Sequence, residues 1–258
     1  MEIMTPVGLL LAFVCLIGGF LMEGGHASAL LSPSALIIVI GGTIGATVVA
    51  FSTHEVLSIP RLIQTAVAKK VPDFTETINL IVELSEKARR EGLLYLDSQL
   101  DTVEDLFLRK GMQLVVDGTD PEMVRSILET EVYASYERHQ VGVHIFEAAG
   151  GYAPTMGIIG TVMGLVHVLG SLSDPDSLGP AIAMAFIATL YGVGSANIFW
   201  LPIGAKLKNL SKKELIMREM MIEGILALQA GYNPMIIRER LNAFIKPAQF
   251  KQPVGEEE

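Results

Sequence analysis

The sequence predicts an all-α integral membrane protein with four transmembrane helices and a large helical cytoplasmic domain, formed by the loop between spans two and three plus the C-terminal tail. Three observations carry that prediction. Four long apolar stretches hold no Asp, Glu, Lys or Arg, every Lys and Arg falls outside them in two segments, and no strand-like alternation of useful length occurs. With 50% hydrophobic residues, 18% charged ones and a mean hydropathy of +0.46, the 258-residue chain is too apolar for an ordinary soluble domain.

A bilayer core takes roughly 20 apolar residues, each rising about 1.5 Å along a helix. The uncharged stretches cover 3–22, 24–54, 148–173 and 177–205, and within them the sequence predicts helices over 5–22, 34–53, 151–172 and 179–205. Orientation follows from the cations: of 19 Lys and Arg, 10 lie between Arg61 and Arg138 and 9 between Lys206 and Lys251, with none in the hairpin loops 23–33 and 173–178. The positive-inside rule then places both polar segments and both termini in the cytoplasm. The expected division is a first transmembrane hairpin over 1–53, a cytoplasmic helical domain over 54–150, a second hairpin over 151–205 and cytoplasmic C-terminal helices over 206–258. The net charge of −9 does not point to a particular partner, because 17 of the 28 acids share the first polar segment with its cations. Cys15, the single cysteine, lies mid-span and rules out a disulfide or metal framework. No pattern suggests an enzyme, a cofactor or a nucleic-acid binder.

In the first polar segment, Asp73 and Glu76 after Pro72 suggest a capping box, and Phe74, Ile78, Ile81 and Ala88 recur at helical spacing up to a stop at Gly92. A second amphipathic run carries Leu96, Leu100, Val103 and Phe107 and is expected to end at Gly111. Pro121 reads as the first turn of a third helix running through His144 towards span three. After span four, Leu215 to Leu228 is amphipathic, Gly231 and Pro234 interrupt it, and Pro247 is the expected end of the last helix.

Spans three and four are rich in small residues: Gly157, Gly160 and Gly164 in one, Ala181, Ala185, Ala188, Gly192 and Gly194 in the other. Small residues let helix backbones approach closely in lipid, although a Gly160–Gly164 spacing also arises by chance. Thr161 and Thr189 fall near the middle of their antiparallel spans, so their hydroxyls would sit at similar depth, as an ion path needs. The ordinary alternative is that each bonds its own helix backbone. No span holds a central ionisable group, His167 lying about one and a half turns from the expected outer end. A carboxylate-dependent cation path would therefore need a carboxylate from another polypeptide. Pro154 and Pro202, at the cytoplasmic ends of spans three and four, would serve either as a conformational hinge or as simple packing kinks.

Four segments, in this order and topology, resemble the flagellar motor stator A subunits of the MotA/PomA family over nearly the whole chain. They are 88–97 (Ala88-Arg89-Arg90-Glu91-Gly92-Leu93-Leu94-Tyr95-Leu96-Asp97), Val116-Asp117-Gly118, the run from Tyr152-Ala153-Pro154 to Gly164-Leu165, and Thr189-Leu190-Tyr191-Gly192. The resemblance implies a bacterial inner-membrane stator in which A subunits, in a ring of five, surround single-span B subunits. An essential Asp of the B subunit would bind the permeating ion, sodium or proton, and the cytoplasmic domain would push the rotor's switch-complex protein. It assigns rotor contact to Arg89, Arg90 and Asp97, the last standing where many relatives have Glu. It assigns the ion pathway to Thr161, Thr189 and Ser34, and the hydroxyl at Thr161 favours sodium. Gly151 departs from relatives that carry an acid there. The competing expectation is an ExbB/TolQ-like envelope energy transducer, against which the two N-terminal spans and the 89–97 segment argue.

Overall fold

The computed structural model of the chain describes residues 4–69, 73–170 and 175–245, and every regular element among them is helical. Four helices are long and apolar enough to cross a membrane, so the architecture is the all-α, four-span one that charge exclusion predicts. Span one is α1 (Met4–Met22), none of whose side chains is buried. Its uncharged surface is left for lipid or another protein to cover.

A 3₁₀ turn (Ala27–Leu30) leads to span two, which begins where Ser32 Oγ accepts the Ala35 N–H at 3.4 Å. Pro33 takes the first helical position, where its missing N–H costs nothing. Span two is α2 (Pro33–Leu36), a π turn (Ile37–Gly41) and α3 (Gly42–Ala50) in one run. It stops short of the expected residue 53 because Phe51 turns extended, at φ −126° and ψ 156°. Ser52 then starts α4 (Thr53–Leu57), its backbone N–H donating to the Glu55 carboxylate at 2.7 Å. Hydrogen bonds from Ser52, side chain first, hold the Glu55 carboxyl below the ordinary carboxylate range. That contribution is present at neutral pH and is lost as pH falls through the depressed value. The amphipathic α5 (Ile59–Ala68) follows, burying Ala66 in a cluster with Val143, Phe146, Ile203 and Leu207.

Next comes α6 (Phe74–Glu91), capped by Asp73, whose carboxylate accepts the N–H groups of Thr75 and Glu76 at 2.9 and 3.3 Å. Ile78, Ile81 and Ala88 are buried as their spacing requires, and Gly92 ends the helix at φ 92°, a conformation unfavourable to side chains. The run expected to form one helix up to Gly111 is instead two elements: a 3₁₀ helix (Leu93–Thr102) and, after extended Val103, α7 (Leu106–Val116), capped by Asp105. Gly111 does not stop α7; it lies in the helix interior because Ile225 packs there, Cδ1 only 2.3 Å from where a Cβ would sit. The true stop is the Val116-Asp117-Gly118 segment. At φ 73°, Gly118 lets its own N–H reach Val115 O at 3.1 Å and the Thr119 N–H reach Leu114 O at 3.0 Å. Gly118→Ala is expected to cost about 1 kcal/mol, read as a lower Tm of the detergent-solubilised protein.

The remaining helices are α8 (Pro121–Gly170), α9 (Pro175–Ser195), a π turn (Ala196–Trp200), α10 (Leu201–Gln229) and α11 (Pro234–Asn242). The first of these runs from the polar segment through span three without a break. Pro72, the end of span three at 172 and the terminating Pro247 lie outside the described residues. The chain forms two compact units, Met1–Lys70 with Arg138–Leu210 and Val71–Glu137 with Ser211–Glu258. The second has its own core, in which Ile81, Leu96, Leu108, Met112, Leu128, Ile225 and Ile237 are almost fully buried.

Candidate functional site: a hydroxyl pair on a glycine seam

Spans three and four meet along their small residues. A Cβ built on Gly157 would lie 2.9 Å from Ala188 O and 3.2 Å from Gly192 Cα. One built on Gly192 would lie 2.6 Å from Ala153 O and 2.9 Å from Gly157 Cα. Farther along, Cβ atoms on Gly160 and Gly164 would meet the Cβ atoms of Ala188 and Ala185 at 2.7 and 2.8 Å. Residue numbers fall on one helix as they rise on the other, so the seam is antiparallel. It has no room for a larger residue where backbone faces backbone.

This closeness brings two short side chains together. The Thr161 hydroxyl lies 2.5 Å from Thr189 Oγ1, 2.9 Å from Ala185 O and 3.1 Å from Gly157 O. A hydroxyl has one proton to give, so Thr161 can donate to a carbonyl while accepting from Thr189. Thr43 and Thr47 in span two show the ordinary alternative: each is buried and donates only within its own helix, to Val39 O at 2.6 Å and Thr43 O at 2.8 Å. Thr161 differs by reaching two oxygens of the facing helix. Four oxygens thus converge in an apolar span, an arrangement that can share a proton or replace part of a small cation's hydration.

Ser34 is not brought to this pair. Its Oγ lies 3.3 Å from Ser32 Oγ and 3.0 Å from Met184 Sδ. Beside it, Tyr191 donates to Leu30 O at 2.5 Å and accepts the Ser32 N–H at 3.3 Å. Tyr191 thereby satisfies backbone groups that precede span two. The sequence reading gave this tyrosine no role; the available signal was a phenol in an apolar span, which must find a hydrogen-bond partner.

Pro154 sits inside unbroken α8, and Pro202 is the second residue of α10, one residue beyond the π turn Ala196–Trp200. A wider turn there accommodates a residue that has no N–H to give. Arg89, Arg90 and Asp97 flank Gly92 in the other unit, all exposed, and none has an ion-pair partner among the described residues. Their charges are available to something outside the chain.

Fold and site together define a polytopic helical membrane protein whose third and fourth spans close around a pair of hydroxyls. Residues 6–92 match the motility protein A N-terminal model and residues 99–220 the MotA/TolQ/ExbB proton channel family. Motility protein A of Bacillus subtilis is 40% identical over 100% of this chain and 95% of its own length, and the chemotaxis protein PomA of Vibrio alginolyticus is 33% identical over 95% and 96%. The flagellar MotAB stator complex from Bacillus subtilis contains a chain 41% identical, superposing with a TM-score of 0.88 over 93% of this chain and 94% of that one. The chain belongs to the MotA/PomA family of flagellar motor stator subunits. This is a family of motor and ion-channel subunits, not of enzymes, and the N-terminal match separates it from the ExbB/TolQ branch.

Proposed function

We propose that the chain, in a ring of five copies in the bacterial inner membrane with both termini cytoplasmic, encloses single-span B subunits and converts sodium flow into torque on the rotor. The observation that carries this reading is the Thr161 hydroxyl set against Thr189 and Ala185 O in spans that hold no central carboxylate. A cation crossing such spans needs a titrating or coordinating acid, which an essential Asp on the B subunit supplies. Hydroxyl and carbonyl oxygens can replace part of a sodium ion's water, whereas a proton needs no such ligand. Each charge crossing the membrane releases about 2.3 kcal/mol per 100 mV. Pro154 and Pro202 are the hinge points through which motion in the spans reaches the polar helices. Co-reconstituted with its B partner in liposomes, the chain is expected to admit sodium under an inside-negative potential. Sodium uptake that is equal without the chain would overturn the reading.

Arg89, Arg90 and Asp97 are the rotor contacts. Single exposed ion pairs contribute only about 0–1 kcal/mol, which suits contacts made and broken at every step. Exchanging all three charges (Arg89→Glu, Arg90→Glu, Asp97→Lys) is expected to lower rotation severalfold in a tethered-cell assay. Membrane level should stay at wild type, since none of the three is paired within the chain, and Tm should fall only by the few degrees that losing two cations from the last turn of α6 entails.

A further inference from the structure

The second unit carries a groove of about 590 Å³ that the stator reading does not use. One wall is α8, contributing Arg125, Glu129, Val132, Tyr133, Tyr136 and Glu137; the other is α10, with Leu215, Glu219, Ile222 and Glu223, and Phe244 also lines it. From residue 125 to 137 the α8 wall runs about 18 Å along the helix, the length of a short peptide rather than of an ion.

Its charge is one-sided. Four carboxylates face a single lining cation, and Arg125 is already engaged, donating to Glu223 at 2.9 Å and Glu129 at 3.3 Å. Glu223 also holds Arg240 at 2.6 Å. Glu137 and Glu219 are exposed and have no ion-pair partner among the described residues. Between the acids lie Tyr133, 66% exposed, Tyr136 and Phe244, whose ring faces attract a guanidinium or ammonium group. Val132, Leu215 and Ile222 provide an apolar floor. Unpaired carboxylates, aromatic rings and an apolar floor along one elongated groove are complementary to a basic, amphipathic segment.

We infer that this groove docks a cationic segment of a partner polypeptide, one that presents Arg or Lys beside apolar side chains. The inference is independent of the permeant ion and of torque transmission. The test places a photoreactive benzoylphenylalanine at position 133 of the full chain in native membranes and sequences the cross-linked peptide by mass spectrometry. The expected adduct lies in an Arg- or Lys-rich segment of a different polypeptide. Its yield should fall roughly fivefold in the Glu137→Gln, Glu219→Gln double variant and when ionic strength is raised to roughly 0.5 M. Glu86→Gln, an exposed carboxylate outside the groove, should leave the yield unchanged and controls for folding. The proposal is overturned by an adduct on lipid, on a second copy of this chain or on a neutral or acidic segment. It is equally overturned by a yield indifferent to the two glutamines, or by no adduct from a chain that inserts at wild-type level.

Discussion

Gly192→Val is expected to abolish motility in a stator-less strain complemented with the variant and its B partner. The added Cβ alone would lie 2.6 Å from Ala153 O and 2.9 Å from Gly157 Cα, and both are backbone atoms that cannot rotate away. The helices must therefore separate, and overpacking of this kind costs typically about 1–3 kcal/mol. The functional loss should exceed the loss of stability. A threonine hydroxyl is carried on a single carbon, so a small increase in helix spacing parts Thr161 from Ala185 O and Thr189. A Cβ built on Gly8, in span one, meets nothing within 4 Å in the chain, so Gly8→Val should leave rotation near wild type. Rotation rate and Tm measured on the two variants check the contrast, and equal effects would remove the seam from the account.

The second large effect is expected at the hydroxyls. Thr161→Ala deletes the oxygen that lies 2.9 Å from Ala185 O and 2.5 Å from Thr189 Oγ1. Hydrogen bonds and polar contacts to a charged group are worth about 1.5–3 kcal/mol, so losing one should weaken sodium binding roughly tenfold or more. Alanine fits the same space, and folding should be preserved. Thr189→Ala should produce a loss of the same kind, and the double variant should lose less than the two single losses combined, because both act on one pair. By contrast, Thr43→Ala removes a bond made only within its own helix to Val39 O and should leave sodium dependence unchanged.

The spans were legible in the sequence because a buried charge in lipid is so costly that its absence over about 20 residues is informative. The seam was half legible: composition named Gly157, Gly160 and Gly164, but not that Gly157 faces Gly192 while Gly160 and Gly164 face alanines. Periodicity gives the face of a helix, not its rotation against a neighbour. For the same reason Thr161 and Thr189 could be matched in depth, yet the reach of Thr161 to the Ala185 carbonyl could not be foreseen. For Ser34 the ion-pathway role rests on the resemblance alone, and no spacing in the sequence foretold its hydrogen bonds to Ser32 and Met184. In the polar unit, Leu96, Leu100 and Phe107 are buried as expected, but burial at such spacing does not separate a 3₁₀ helix from an α-helix. Gly111 was misread because glycine marks both helix ends and close packing, and only the position of Ile225 decides between them.

The most direct test of the sodium path is the rotation rate of tethered cells as external sodium is withdrawn at constant membrane potential, for the unaltered chain and for Thr161→Ala. The account predicts that rotation of the unaltered protein falls with sodium and that Thr161→Ala needs roughly tenfold more sodium for half-maximal speed. Rotation that is indifferent to sodium in both proteins, yet collapses when a protonophore is added, would contradict it.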